Sequence, residues 1–107
     1  MIIIQTTVGN DNNAKELINL LLETNKIACG TFHTIESSYK WKNEIVNEPE
    51  VEVSLYTSES LFREVVDIVK QRHHYELPKI TVLEPVYTLP EYDEWVNSST
   101  TWGFLYS

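Results

Sequence analysis

Residues 27–57, IACGTFHTIESSYKWKNEIVNEPEVEVSLYT, contain the pattern that decides the fold. Residues 27–41 are rich in Thr, Ser and aromatic side chains, and within residues 44–57 apolar residues at 51, 53 and 55 alternate with polar residues at 50, 52 and 54. Both features are typical of β-strands, and a tight turn fits at residues 42–43 between them. Pro49 cannot donate to a sheet ladder, so the second strand should bulge or run along an edge there. The stretch therefore predicts a long β-hairpin.

The predicted hairpin is longer than the domain that carries it. About 14 residues at ~3.3 Å each give arms of roughly 45 Å. A compact domain of 107 residues has a diameter of roughly 34 Å. The hairpin end, with Tyr39, Trp41 and Ile45, would be exposed in a monomer. We therefore expect another subunit to cover it, with Tyr39 and Trp41 in the interface.

Outside the hairpin, the sequence predicts two helices and two more strands. MIIIQTTV at residues 1–8 and KITVLEPV at residues 79–86 are short, apolar and rich in β-branched residues, which favours strands. Residues 10–26 and 57–73 space apolar side chains on one helical face. The predicted order is βαββαβ. This is the ferredoxin-like arrangement of the α+β class, an antiparallel sheet with both helices on one face.

Polar residues mark the expected helix starts. Residues 11–13 are cap candidates for the first helix, and Thr57 and Ser58 for the second. Thr88 and Glu91 have the spacing of a capping box, which predicts a short C-terminal helix after the last strand.

Length and charge limit the possible functions. We expect residues 1–107 to form one domain. The net charge of −8 repels nucleic acid and anionic lipid but attracts cations. Cys29 is the only cysteine, and the first residues contain no signal-like or membrane-spanning apolar run, so we expect a cytoplasmic protein. With no phosphate loop, catalytic triad or paired cysteine ligands in the sequence, we expect no enzyme.

Several short motifs, in their order and spacing, resemble the CutA divalent-cation tolerance family. They are an MII first strand, IAC at 27–29, SxYxW at Ser38, Tyr39 and Trp41, YxxW at Tyr92 and Trp95, and His73, Tyr75 and Pro78 at the positions of the family's HPYxxP element. The resemblance covers roughly residues 1–97, and the role of the tail at 98–107 stays open.

The resemblance implies a ferredoxin-like homotrimer whose hairpins embrace neighbouring subunits, and a link to copper and other divalent cations. Three positions depart from the family pattern. His74 stands where Pro is usual, Lys79 where Glu is common, and Gln5 where some members have Cys. A base in place of an acid removes a possible ligand and repels a cation.

His73 and His74 are the candidate metal ligands, with copper as the expected ion. Adjacent side chains diverge by roughly 100° on a helix and point to opposite sides in extended chain, so one ion is poorly held by both. In the alternative interpretation, His73 interacts with carbonyls at the helix end and Tyr75 packs in a cleft between subunits. Both interpretations remain open at this stage.

Cys29 and His33 fall on one face of the predicted strand but do not form a catalytic pair. Four residues of strand separate them by about 13 Å, beyond hydrogen-bond reach. A lone cysteine in an apolar strand is usually a small core residue, although it also serves as a metal ligand in some proteins.

The sequence thus supports three functional hypotheses. The first is a trimer that binds copper or related cations in the response to metal ions. The second is a regulatory trimer like the PII signalling proteins, with small effectors in intersubunit clefts, which rests on fold analogy. The third is a trimeric scaffold for a protein partner.

Overall fold

The computed structural model describes residues 1–73 and 75–100. His74 and residues 101–107, most of the predicted tail, lie outside this description. The elements are β1 (Ile2–Val8), α1 (Asp11–Glu23), β2 (Cys29–Trp41), β3 (Glu44–Thr57), α2 (Phe62–Arg72), β4 (Ile80–Leu83) and α3 (Pro90–Ser98), with a 3₁₀ turn at Glu59–Leu61 ahead of α2. The predicted order βαββαβ with a closing helix is confirmed.

The four strands form one antiparallel sheet in the order β2-β3-β1-β4. Side chains alternate between the two faces, and the apolar ones of β1 and β3 on one face, such as Ile4 and Leu55, are fully buried with those of α1 and α2. Gly30 of β2 lies so close to Ile18 of α1 that a Cβ there would stand 2.8 Å from its side chain. The helices therefore cover one face of the sheet, as the ferredoxin-like prediction requires.

The hairpin turn has the expected position and a well-defined geometry. Lys42 and Asn43 have φ angles of 49° and 67°, the left-handed values of a two-residue hairpin turn. The register is unbroken from Cys29 opposite Tyr56 to Trp41 opposite Glu44. The long axis of the subunit measures 45 Å, in keeping with the predicted arm length.

Pro49, which cannot donate a backbone hydrogen bond, lies where β3 is an edge strand of the sheet. β1 ends where Val8 faces Val51, so β3 has a neighbour on only one side at Pro49. The ladder with β2 continues past this residue without a bulge. The sequence predicted either a bulge or an edge position at Pro49, and the structure has the edge position.

The predicted caps are wrong for α1 and α3, and Ser58 takes the cap position of the 3₁₀ turn ahead of α2 without a side-chain hydrogen bond. Asn10, not a residue of 11–13, caps α1 by accepting from the N–H of Asn13 at 2.8 Å. The hydroxyls of Thr57 and Ser58 bond instead to the carbonyl of Lys26 and to the hydroxyl of Thr100. These hydroxyls satisfy distant polar groups, a role that local spacing does not reveal.

The C-terminal helix also starts differently from the prediction. Leu89 takes the cap position of α3 without a side-chain hydrogen bond, and Pro90 occupies the first turn. The capping box of Thr88 and Glu91 is therefore not formed. Proline suits this position because its missing N–H would be unpaired there in any case.

Helix α3 packs on the face of the sheet that α1 and α2 leave uncovered. Tyr92 lies near Cys29 and Tyr56, a cross-strand pair that points away from α1 and α2. Val96 is fully buried although it does not belong to the core cluster beneath the other helices. The base of the hairpin is therefore covered on both faces. Within the described part of the chain, no helix is long and apolar enough to span a membrane.

Two buried threonines provide a matched stability test. The Thr6 hydroxyl has no hydrogen-bond partner among the described residues, whereas Thr57 donates to the Lys26 carbonyl at 2.6 Å. We expect Thr6→Val to raise the free energy of unfolding by about 1 kcal/mol and Thr57→Val to lower it by a similar amount. Urea unfolding of both variants measures the difference. Equal changes of one sign would contradict it.

Candidate functional site

The candidate site begins where α2 ends. His73 follows Arg72 with φ −80° and ψ 138°, so the chain leaves the helix in an extended conformation. The backbone N–H of Tyr75 donates to Nδ1 of His73 at 3.2 Å, and the two rings meet edge to face at 4.9 Å. Nε2 of His73 is buried. In this arrangement His73 shapes the segment, and its side chain must rotate before a nitrogen can reach a metal ion.

The second predicted ligand, His74, lies outside the described residues, so its geometry relative to His73 stays a prediction. Among the described residues, no group of three or more His, Cys, Asp or Glu side chains is arranged to hold a metal ion.

Tyr75 lies against the hairpin beyond the end of β1. Burial raises the pKa of its phenol, and the carboxylates of Glu50 and Glu48 raise it further. A hydrogen bond to the Glu50 side chain is a further, smaller cause of this shift, so the phenol of Tyr75 is engaged with β3. The contact joins the segment after α2 to strand β3 of the same subunit, and the predicted interface role of Tyr75 remains a prediction.

Hydroxyl groups hold the carboxylates on this face of the hairpin. Ser37 donates to Glu50 at 2.5 Å, and Tyr39 donates to Glu48 at 2.6 Å. Each donor lies one diagonal step from its acceptor in the β2–β3 register. The hydrogen bond to Glu48 is the main cause that raises the pKa of Tyr39 to about 12.

The hairpin end is exposed in the single subunit. Ile45 is 74% and Tyr39 40% exposed, and Trp41 is half-buried, with Lys42 Nζ 5.8 Å from its ring centroid. The side chains assigned to an interface therefore lie on an accessible surface of the subunit.

Cys29 and His33 contact different groups. Cys29 lies near Tyr92, whose pKa is raised mainly by burial and secondarily by Cys29. His33 Nε2 is 3.7 Å from Glu52, which also faces Lys79 Nζ at 3.5 Å. Lys79 thus supplies a positive charge to a hairpin carboxylate.

Sequence reasoning did not identify this three-residue group. The position of the turn could have predicted one of these contacts. Residues equally distant from a two-residue turn face each other, and this places His33 opposite Glu52. The approach of Lys79 from the loop before β4 has no such local signal.

A cavity of about 490 Å³ lies beside the candidate site. His73 and Tyr75 line it together with Gly9 and Asn13, near the start of α1. The segment after α2 therefore forms part of a concave surface that is large enough for a small molecule.

Comparisons with known proteins point to one family. The family model described as CutA1 divalent ion tolerance protein matches residues 2–99. The divalent-cation tolerance protein CutA of Thermotoga maritima is 35% identical over 99 residues, which are 92% of this chain and 98% of that protein.

Solved structures agree with the sequence comparison. A PII-like protein CutA from Nostoc sp. PCC 7120 superposes with a TM-score of 0.88 at 28% identity, covering 94% of this chain and 98% of the other. The periplasmic divalent cation tolerance protein CutA from Archaeoglobus fulgidus also gives 0.88 at 28% identity, over 92% and 98% of the two chains.

The raised pKa of Tyr39 predicts a specific alkaline titration. The Tyr39–Glu48 hydrogen bond contributes fully below the pKa of an unfolded phenol, about 10, and is lost as pH rises through about 12. The absorbance difference between the parent and Tyr39→Phe should therefore show a phenolate midpoint near pH 12 while circular dichroism reports folded protein. Glu48→Ala should lower the midpoint, and Glu36→Ala, on the opposite face, should not. An ordinary midpoint in the folded parent would contradict this assignment.

Proposed function

Because the chain belongs to the CutA1 divalent ion tolerance protein family, we propose that it is a homotrimer that binds divalent cations, copper foremost, in the response to metal ions. The observation that carries the proposal is the family match over residues 2–99. The net charge of −8 adds a field that attracts cations. The proposal includes no catalytic step.

The trimer follows from the surface of the hairpin arm. The exposed Tyr39 and the half-buried Trp41 lie on one face of its end, and the exposed Ile45 lies on the other. Exposed apolar side chains of this kind are covered in a stable assembly. Tyr75, at the base of the arm, is the proposed contact inside the cleft between subunits. We assign the trimer to the cytoplasm, although the Archaeoglobus fulgidus protein is described as periplasmic.

Copper is the proposed ion because of the donor type. Imidazole nitrogen suits Cu(II), which stands at the top of the divalent affinity order. We assign the metal to His73 and His74, with His73 the more important since it matches the family motif. Adjacent histidines do not easily chelate one ion, so the site is weak or bridges subunits, and a ligand from elsewhere completes it.

A second function is favoured by one comparison. The Nostoc protein is described as PII-like, which suggests a regulatory trimer with a small effector in its clefts. A chain with eight basic residues and three glycines offers few groups for holding nucleotide phosphates. A thermal-shift screen of nucleotides against divalent metals separates the two functions, since each predicts stabilisation by only one set.

The assembly prediction concerns Trp41. Removing a large aromatic side chain from a packed interface commonly costs about 2 kcal/mol or more, so Trp41→Ala should shift the trimer toward monomer before the subunit unfolds. Size-exclusion chromatography with light scattering measures the mass of parent and variant. Phe62→Ala, on the helical side of the subunit, is the aromatic control and should remain trimeric. A parent that is a stable monomer at micromolar concentration would refute the trimer.

The copper prediction is tested by calorimetric titration at two pH values. We expect the parent to bind Cu(II) more tightly than Zn(II), Ni(II) or Mn(II). Binding should weaken as pH falls below about 6.5, the ordinary imidazole pKa, because protonated nitrogen cannot ligate.

The histidine variants locate the copper site. His73→Ala should weaken binding more than His74→Ala, and His33→Ala is the matched control that should bind like the parent. If the first two variants keep the stoichiometry and affinity of the parent, the metal site lies elsewhere in the trimer.

A further inference from the structure

Two opposite charges line the walls of the 490 Å³ cavity. Glu16 projects from α1, and Arg72 is the last residue of α2. Within the residues that the structure describes, neither side chain takes part in an ion pair. The carboxylate and the guanidinium are therefore more than 4 Å apart and both are available to a third group.

The floor between these charges is apolar. Leu17 of α1 and Val69 of α2 are 6% and 1% exposed and line the cavity together with Val8 at the end of β1. The cavity volume lies within the roughly 300–1,000 Å³ of small-molecule sites, which usually combine an apolar lining with a few polar groups. Tyr75 and Asn13 add polar side chains to the lining.

We infer that this cavity binds a small zwitterion with an apolar side chain, an α-amino acid or a dipeptide. The ligand carboxylate pairs with the guanidinium of Arg72, its ammonium group pairs with the carboxylate of Glu16, and its side chain covers Val8, Leu17 and Val69. An anion alone would pair with Arg72 and leave Glu16 unpaired. A cation alone would pair with Glu16 and leave Arg72 unpaired. A zwitterion satisfies both with charge-assisted hydrogen bonds.

This site differs from the proposed metal site in its chemistry, although His73 lines both. Its charged and apolar walls come from α1, α2 and the end of β1, and it requires no metal ion. The test is therefore run with a metal chelator present, and its outcome is independent of copper binding.

The probes are L-leucine and two analogues that each lack one charge. Leucinamide has no carboxylate and 4-methylpentanoate has no ammonium group. Titrations followed by backbone amide NMR should show that L-leucine shifts signals at the start of α1 and the end of α2. Both analogues should bind about tenfold or more weakly, since each loses one charge-assisted contact.

Two charge-neutralising variants assign the roles of the walls. Arg72→Gln should weaken L-leucine and 4-methylpentanoate but not leucinamide, and Glu16→Gln should weaken L-leucine and leucinamide but not 4-methylpentanoate. Arg63→Gln and Glu23→Gln remove the same charges from exposed positions on the same helices outside the cavity, and they should bind all three probes like the parent. Circular dichroism verifies that each variant is folded.

Three results would overturn the inference. They are no L-leucine binding at millimolar concentration, equal affinity for L-leucine and both analogues, and folded Arg72→Gln and Glu16→Gln variants that bind L-leucine as the controls do.

Discussion

The register of the β2–β3 hairpin is the constraint on which the rest of the subunit depends. Two residues with positive φ, Lys42 and Asn43, place every residue of β2 opposite its partner on β3. A slip of one residue would send all side chains of a strand to the other face. Correct register points Val53 and Leu55 into the core and places Ser37 and Tyr39 within reach of Glu50 and Glu48. The same turn therefore fixes both the side chains that enter the core and the hydrogen bonds beside the candidate site.

Element types and order could be predicted because they depend on local patterns. Composition and side-chain alternation identified the four strands, and one-sided apolar spacing identified α1 and α2. The third helix was predicted from a capping-box spacing that is not formed, and the bounds of β3 agree with the predicted residues 44–57. The predicted hydroxyl cap bonds did not form because hydroxyls have several possible partners. Thr57 bonds across 31 residues to Lys26, and no spacing rule selects that carbonyl over a nearby N–H.

The candidate site was less predictable than the fold for the same reason. The sequence identified His73 and Tyr75 as candidate site residues, but it could not show that the N–H of Tyr75 donates a hydrogen bond to Nδ1 of His73. Lys79 was recognised as a departure from the family pattern, yet its contact with Glu52 joins residues 27 positions apart. No sequence pattern pointed to Glu16 and Arg72 as walls of one cavity. Chemistry that depends on two distant segments is visible only after folding.

The end of β1 at Val8 divides the subunit into a base and a hairpin arm, which is formed by residues 33–50. In the base, the sheet has four strands and helices on both faces. The residues of the arm contribute no side chain to the core cluster. An isolated two-stranded ribbon has little stability of its own, so the arm depends on the base, whereas the base depends little on the arm. Substitutions at exposed positions of the arm should therefore leave the folding free energy of the subunit nearly constant. The surface that the arm presents can then change without loss of the fold.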